Sequence, residues 1–149
     1  MSKIKWCCCQ KNGITIIEPN ERLSNEYLTH ADDDLIAMIN QKDKWKNIAA
    51  YYTCYEALYA ILMKLGIKCE IHECTIELMT LIPEFSSGDK IFLSELKTER
   101  TDVQYYLKKP EALDEQKIKE FVLKCKTIIL KLDNNSSKMI IDIVKKLKN

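Results

Sequence analysis

The sequence predicts an all-α fold: an up-down helical bundle of four or five long helices plus short ones, with a small N-terminal β-hairpin or extended arm. Three observations predict it. Only three glycines and three prolines interrupt 149 residues, so turns are few and elements long. Apolar residues recur at three- and four-residue spacing through most of the chain, the mark of helices with an inward face. Capping residues, Asn20 and Asp114 among them, stand where those periodic stretches begin. Residues 1–19 make the arm and residues 20–149 the bundle, enough chain to bury a core.

In the arm, residues 4–10 and 14–17 flank Asn12-Gly13, a dipeptide suited to a tight type I′ turn, and read as two short strands or an extended segment. The first long helix begins after Asn20 and runs to about Gln41, with Leu23, Tyr27, Ala31, Leu35, Met38 and Ile39 inward and Asp32, Asp33 and Asp34 toward water. The second starts near Asp43 and stops before Gly66; it is apolar on most sides, from Trp45 and Ile48 to Leu62 and Leu65, which makes it the central helix. A shorter helix follows over residues 71–81, stopped by Pro83. Ser86, Ser87 and Gly88 read as a loop before a helix over residues 90–108, and Pro110 closes it. Asp114 opens a helix carrying Ile118, Phe121, Val122, Cys125, Ile128, Ile129 and Leu132. Ser136 is placed to cap a last helix with Ile140, Ile143, Val144 and Leu147 and with lysines near its C-terminal dipole.

Lysine and arginine number 23 against 22 aspartates and glutamates, so overall charge does not drive this chain onto nucleic acid or a membrane. Lys108, Lys109, Lys124, Lys126 and Lys131 form either a basic strip or, with acids interspersed, a solvated helix face. No apolar run reaches the roughly 18 residues that span a bilayer, and no secretory leader is recognisable. A cytoplasmic protein is expected, and with it seven free thiols rather than a disulfide framework. Cys69, His72 and Cys74 lie close in sequence, but lack the paired knuckle spacing of zinc sites. No metal or cofactor is expected.

The most informative residue is Arg100. It falls on the apolar stripe of Leu93, Leu96, Val103 and Leu107, and a guanidinium stays charged at any ordinary pH. Something anionic must meet it there: an internal carboxylate, a neighbouring subunit or a bound phosphate. On the central helix, Ala49, Tyr52, Glu56, Tyr59 and Met63 share a face whose one carboxylate is Glu56. Glu56 and Arg100 are expected either to pair, fixing helix register, or to line a polar cleft with Tyr52 and Tyr59. Asp102 and Tyr106 are four apart and can hydrogen-bond.

Residues 51–62, Tyr-Tyr-Thr-Cys-Tyr-Glu-Ala-Leu-Tyr-Ala-Ile-Leu, resemble the central helix of HEPN domains (higher eukaryotes and prokaryotes nucleotide-binding). Gly66-Ile67-Lys68 through Ile71-His72 is similar to that family's turn into a short helix with a leading histidine. Arg100-Thr101-Asp102-Val103-Gln104-Tyr105-Tyr106 resembles its arginine-to-tyrosine motif, and Trp6 with Ile17-Glu18-Pro19-Asn20 resembles the leading segment of archaeal members. The resemblance spans residues 6–132. It implies a bundle that homodimerises with the arginine helix near an interfacial cleft, in a nucleotide- or RNA-binding protein, a toxin–antitoxin component or a partner of a small nucleotidyltransferase. In the family's ribonucleases a histidine follows the arginine four to six residues later; here Tyr105 and Tyr106 stand there. A phenol with a pKa near about 10 is a poor base at neutral pH, so a metal-independent nuclease would need His72 or Tyr105 to move protons while Arg100 holds the phosphate. A binding or regulatory subunit is the favoured expectation, with Arg100, Glu56, Asp102, Tyr106, Tyr52 and Tyr59 as ligand-binding residues. A ribonuclease and a purely structural interaction module are the alternatives.

Overall fold

The computed structural model describes residues 2–149, and they form seven α-helices and two very short strands. In chain order these are α1 (Lys3–Cys9), β1 (Thr15–Ile16), α2 (Glu21–Asn40), α3 (Asp43–Leu65), β2 (Ile67–Lys68), α4 (His72–Glu77), a 3₁₀ turn (Leu78–Leu81), α5 (Ser87–Tyr105), α6 (Glu115–Lys131) and α7 (Asn134–Lys148). The bundle is all-α as the sequence predicts. Its axis is α3, buried on nearly every side from Ala50 to Leu65, with α2, α5 and α6 laid along it.

The long helices begin and end for the local reasons read from the sequence. The Asn20 side chain accepts the Leu23 N–H at 2.9 Å to open α2, and Asp114 accepts from Lys117 to open α6. Gly66, at φ +92°, ends α3 in the left-handed region; any Cβ there would strike the Ile17 carbonyl. Three boundaries differ. Ser86 caps α5 in a reciprocal box with Asp89, so Ser87 and Gly88 are its first turn rather than a loop. At the other end α5 stops at Tyr105, and Leu107, at φ +54°, is exposed instead of completing the inward stripe. The final helix is capped by Asp133, with Ser136 as the reciprocal partner three residues in. Ile39, Trp45 and Ile143, expected inward, are exposed.

The N-terminal segment departs most from expectation. Residues 4–10 are helical: Ser2 caps α1 and Ile4 and Cys7, three apart, are its buried pair. That spacing belongs to a helix, and it outweighs the β-favouring run of Trp6 and the cysteines. Asn12 does adopt positive φ, but the turn leads from α1 into β1 through Gly13 N–H to Gln10 O and Ile14 N–H to Cys7 O. The antiparallel partner of β1 comes from after α3, with Thr15 opposite Lys68 and Ile16 opposite Ile67.

The cysteines are not all free. Cys7 and Cys74 form a disulfide that joins α1 to α4 across 67 residues of chain, correcting the expectation of seven thiols. The spacing of these two residues does not announce it, because the bond depends on α1 and α4 meeting across 67 residues. Cys54, Cys69 and Cys125 remain buried thiols, and burial pushes the Cys54 and Cys125 thiols far above their ordinary range. Replacing Cys7 and Cys74 together by alanine is expected to lower unfolding free energy by about 2–4 kcal/mol in urea titrations without reductant. The wild-type curve should move toward the variant's when a dithiol is added.

Candidate functional site

Arg100 is carried on α5 between Leu96 and Val103, both buried against the core. An outward-facing arginine would lie in water; this one lies over α3. Its guanidinium carbon is 5.0 Å from the Tyr51 ring centroid, 5.4 Å from that of Tyr52 and 6.0 Å from that of Tyr105. Nη1 donates to the Tyr52 hydroxyl at 3.1 Å. Aromatic faces stabilise a guanidinium by roughly 0.5–2 kcal/mol each, more as water is excluded.

No carboxylate meets it. Among the described residues Arg100 takes part in no ion pair, and its Nε–H is buried without an acceptor. The expected pairing with Glu56 is not made. Glu56 lies one turn past Tyr52, on the stretch of α3 covered by α2, where it faces Asp33, Asp34 and the His30 imidazole at 3.7 Å. Burial, a hydrogen bond to Asp34 and the charges of Asp34 and Asp33 push the Glu56 carboxyl up to about 9. The two groups predicted to share one cleft therefore occupy opposite electrostatic settings.

His72 joins Arg100 instead. The β1–β2 ladder and the bond from Glu70 N–H to Asn12 O fix the chain after α3, and the Cys7–Cys74 bond clamps α4 beneath them. Thr75 accepts from the Tyr55 hydroxyl at 3.1 Å, holding α4 against α3. The His72 imidazole then stacks on the Tyr55 ring at 4.1 Å, and its Nδ1 is 2.8 Å from the Tyr51 hydroxyl. Burial first, then the charges of Arg100 and Lys97, hold the His72 pKa below 6.5. It is a neutral imidazole at pH 7. With Nδ1–H donating to Tyr51, Nε2 presents a lone pair; with Tyr51 donating to Nδ1, Nε2 presents a proton.

The other sequence-predicted residues divide clearly. Tyr52 and Tyr105 belong to the Arg100 cluster, though Tyr105 is mostly exposed. Tyr59 is buried; its hydroxyl accepts the Cys69 N–H at 3.0 Å and its ring contacts Tyr27 and Tyr55, a packing role. Asp102 pairs with Lys108 at 3.6 Å, and its carbonyl, rather than its side chain, accepts the Tyr106 N–H. Tyr106 is exposed at the end of α5. Sequence reasoning missed Tyr51 and Tyr55 as site residues, although their i, i+4 spacing on α3 puts both rings on the face that His72 covers. Lys124 and Lys126 are engaged with Asp89 and Asp32, so they do not form a free basic strip.

The metal donors considered in the sequence are otherwise committed: Cys74 is oxidised, the Cys69 thiol donates to the Ile71 carbonyl, and His72 is bound to Tyr51. Among the described residues no three His, Cys, Asp or Glu side chains gather as a metal-ligating group. The larger cleft, about 690 Å³, lies elsewhere, between α5 and the segment leading into α6. Some of its polar groups are engaged: Glu99 accepts from Asn47 and the Glu111 N–H, Lys90 pairs with Glu77, and Asp114 caps α6. Three buried side-chain atoms among the described residues find no partner: Thr53 Oγ1, Arg100 Nε and Gln104 Oε1. Comparison with protein-family models, curated proteins and solved structures returns no match.

The two perturbed groups oppose each other in pH. Glu56 has a folded pKa above its unfolded value of 4.5, so its contribution is full below 4.5 and lost as pH rises toward about 9. His72 has a lowered folded pKa, so its contribution is full above 6.5 and lost as pH falls through the folded value. Glu56→Gln should flatten the decline in stability between pH 5 and 9 in urea titrations. At pH 8 the variant should exceed wild type by about 1 kcal/mol or more, the worth of one relieved pKa unit.

Proposed function

We propose that this chain is a HEPN-type nucleotide- or RNA-binding regulatory subunit that takes a phosphate on Arg100. One observation carries the reading: a half-buried guanidinium on an apolar seam, with no carboxylate partner and its one side-chain hydrogen bond made by Nη1 to the Tyr52 hydroxyl. Such a group is stabilised by an anion with several acceptor oxygens, and a phosphate offers them in the fork geometry that guanidinium donors match. The surrounding phenols and neutral imidazole add no competing negative charge. Tyr105, Tyr106 and Leu107, exposed beside the site, are the apolar surface on which the subunit homodimerises, and a small nucleotidyltransferase is its partner protein.

The test is anisotropy of a fluorescein-labelled single-stranded RNA with EDTA present. Arg100→Met should weaken binding at least tenfold at low salt and reduce the slope of log affinity against log salt by about 1. Equal binding by wild type and variant, with both folded by circular dichroism, sinks the reading.

The position of His72 favours a second reading, a metal-independent ribonuclease. Nε2 would accept the 2′-hydroxyl proton as the 2′-oxygen attacks phosphorus, and the P–O5′ bond would break with the 5′-oxygen taking a proton from water or the Tyr105 hydroxyl, while Arg100 holds the phosphate charge. Incubation of total RNA in EDTA separates the two. The binding reading expects intact RNA; the nuclease reading expects cleavage that disappears in both His72→Ala and Arg100→Met.

A further inference from the structure

A cleft of about 480 Å³ opens between the end of α2 and the start of α3, and it touches the Arg100 cluster through a shared wall. That wall is Tyr52, which lines the cleft and accepts the Arg100 Nη1–H. The floor is small and apolar, from Ile48 and Ala49. The rim carries the Trp45 ring, 56% exposed, with Lys44 Nζ 5.1 Å from its centroid. Two polar side chains complete the lining: Asp34 from α2 and Gln41 from the connection to α3. Asp34 takes part in no ion pair among the described residues.

An exposed tryptophan on a soluble helix is costly to leave in water and well suited to stacking on a flat ring. Asp34, with no cation beside it, keeps acceptor capacity for donors in the cleft. Together, beside a phosphate-seeking arginine, these features describe the other end of a nucleotide. We propose that the Asp34–Gln41–Trp45 cleft is a nucleobase pocket selective for guanine, which rests on the reading of Arg100 as a phosphate contact.

The selectivity follows from the donor pattern. Guanine presents two adjacent N–H groups, at N1 and N2, to the two oxygens of a carboxylate, and its O6 accepts from an amide such as Gln41. Cytosine offers only its exocyclic amine. Adenine sets the N1 lone pair beside its amine, and uracil flanks its single N–H with two carbonyls, so both bring acceptors against Asp34 and repel it. The base stacks on the Trp45 face opposite Lys44, and Tyr52 separates it from the phosphate on Arg100. Glu56, its carboxyl pushed up by burial and by Asp34, stands beside Asp34 but outside the cleft lining.

The experiment is an NMR titration of the ¹⁵N-labelled full chain with inorganic phosphate and with GMP, CMP, AMP and UMP, following the Trp45 indole N–H and the Arg100 Nε–H. Wild type should bind GMP about tenfold more tightly than AMP or UMP, within the range a two-point base contact provides, and only the nucleotides should shift the Trp45 signal. Asp34→Asn should erase the GMP preference while phosphate binding is unchanged. Trp45→Ala should weaken all nucleotides about tenfold and leave phosphate alone. If phosphate and all four nucleotides bind with equal affinity, or if neither variant alters nucleotide binding, the base pocket is overturned while the Arg100 reading stands. If no probe perturbs Arg100, both fail together.

Discussion

A helix with no polar face needs neighbours on every side, and α3 recruits them from the whole chain. From Ala50 to Leu65 nearly every residue is buried, and satisfying that surface fixes the remaining architecture. α2 folds back along it through a short connection, α5 and α6 cover two further sides, and the short elements near residues 3–16 and 67–82 close its far end. The Arg100 cluster is a by-product of this constraint. Tyr51 and Tyr55 point where α4 must lie, Tyr52 points where α5 must cross, and the residues brought opposite them are His72 and Arg100. No loop or insertion is needed to build the site, because helix spacing alone aligns its rings.

Much of this was legible in the amino-acid order, and for identifiable reasons. Asn20, Asp114 and Gly66 act through backbone groups within three or four residues, so their roles as caps can be read locally. Arg100 was conspicuous because periodicity alone marks a charge on an apolar seam. What the sequence concealed depends on contacts between distant segments. β1 pairs with β2 across fifty residues, and Cys7 finds Cys74 only once α1 is a helix resting on α4. His72 reaches Arg100 through that same chain of placements. Leu107 and Ser136 misled in the opposite way: each fits a pattern one turn away from the residue the backbone uses.

Glu56 and Arg100 show why a shared helix face is weaker evidence than it looks. Both are charges embedded in apolar stripes, and pairing them is the simplest way to satisfy both. The bundle satisfies them separately. Glu56 is relieved by keeping its proton among Asp33 and Asp34, whereas Arg100, which has no neutral form, is relieved by the faces of tyrosines. A titratable group can meet burial by changing its charge. A permanent cation can only find company, and here that company is aromatic rather than anionic.

The attachment of the first sixteen residues has a bearing on how the molecule assembles. α1 and β1 dock mainly on β2, α4 and α7 rather than on α2 beside them in sequence. The α2–α3 hairpin needs only nearby chain and can form early, while the leading segment must wait for a surface made by residues some fifty positions downstream. On a ribosome this segment emerges before the surface that receives it, so it is among the last elements to reach its place.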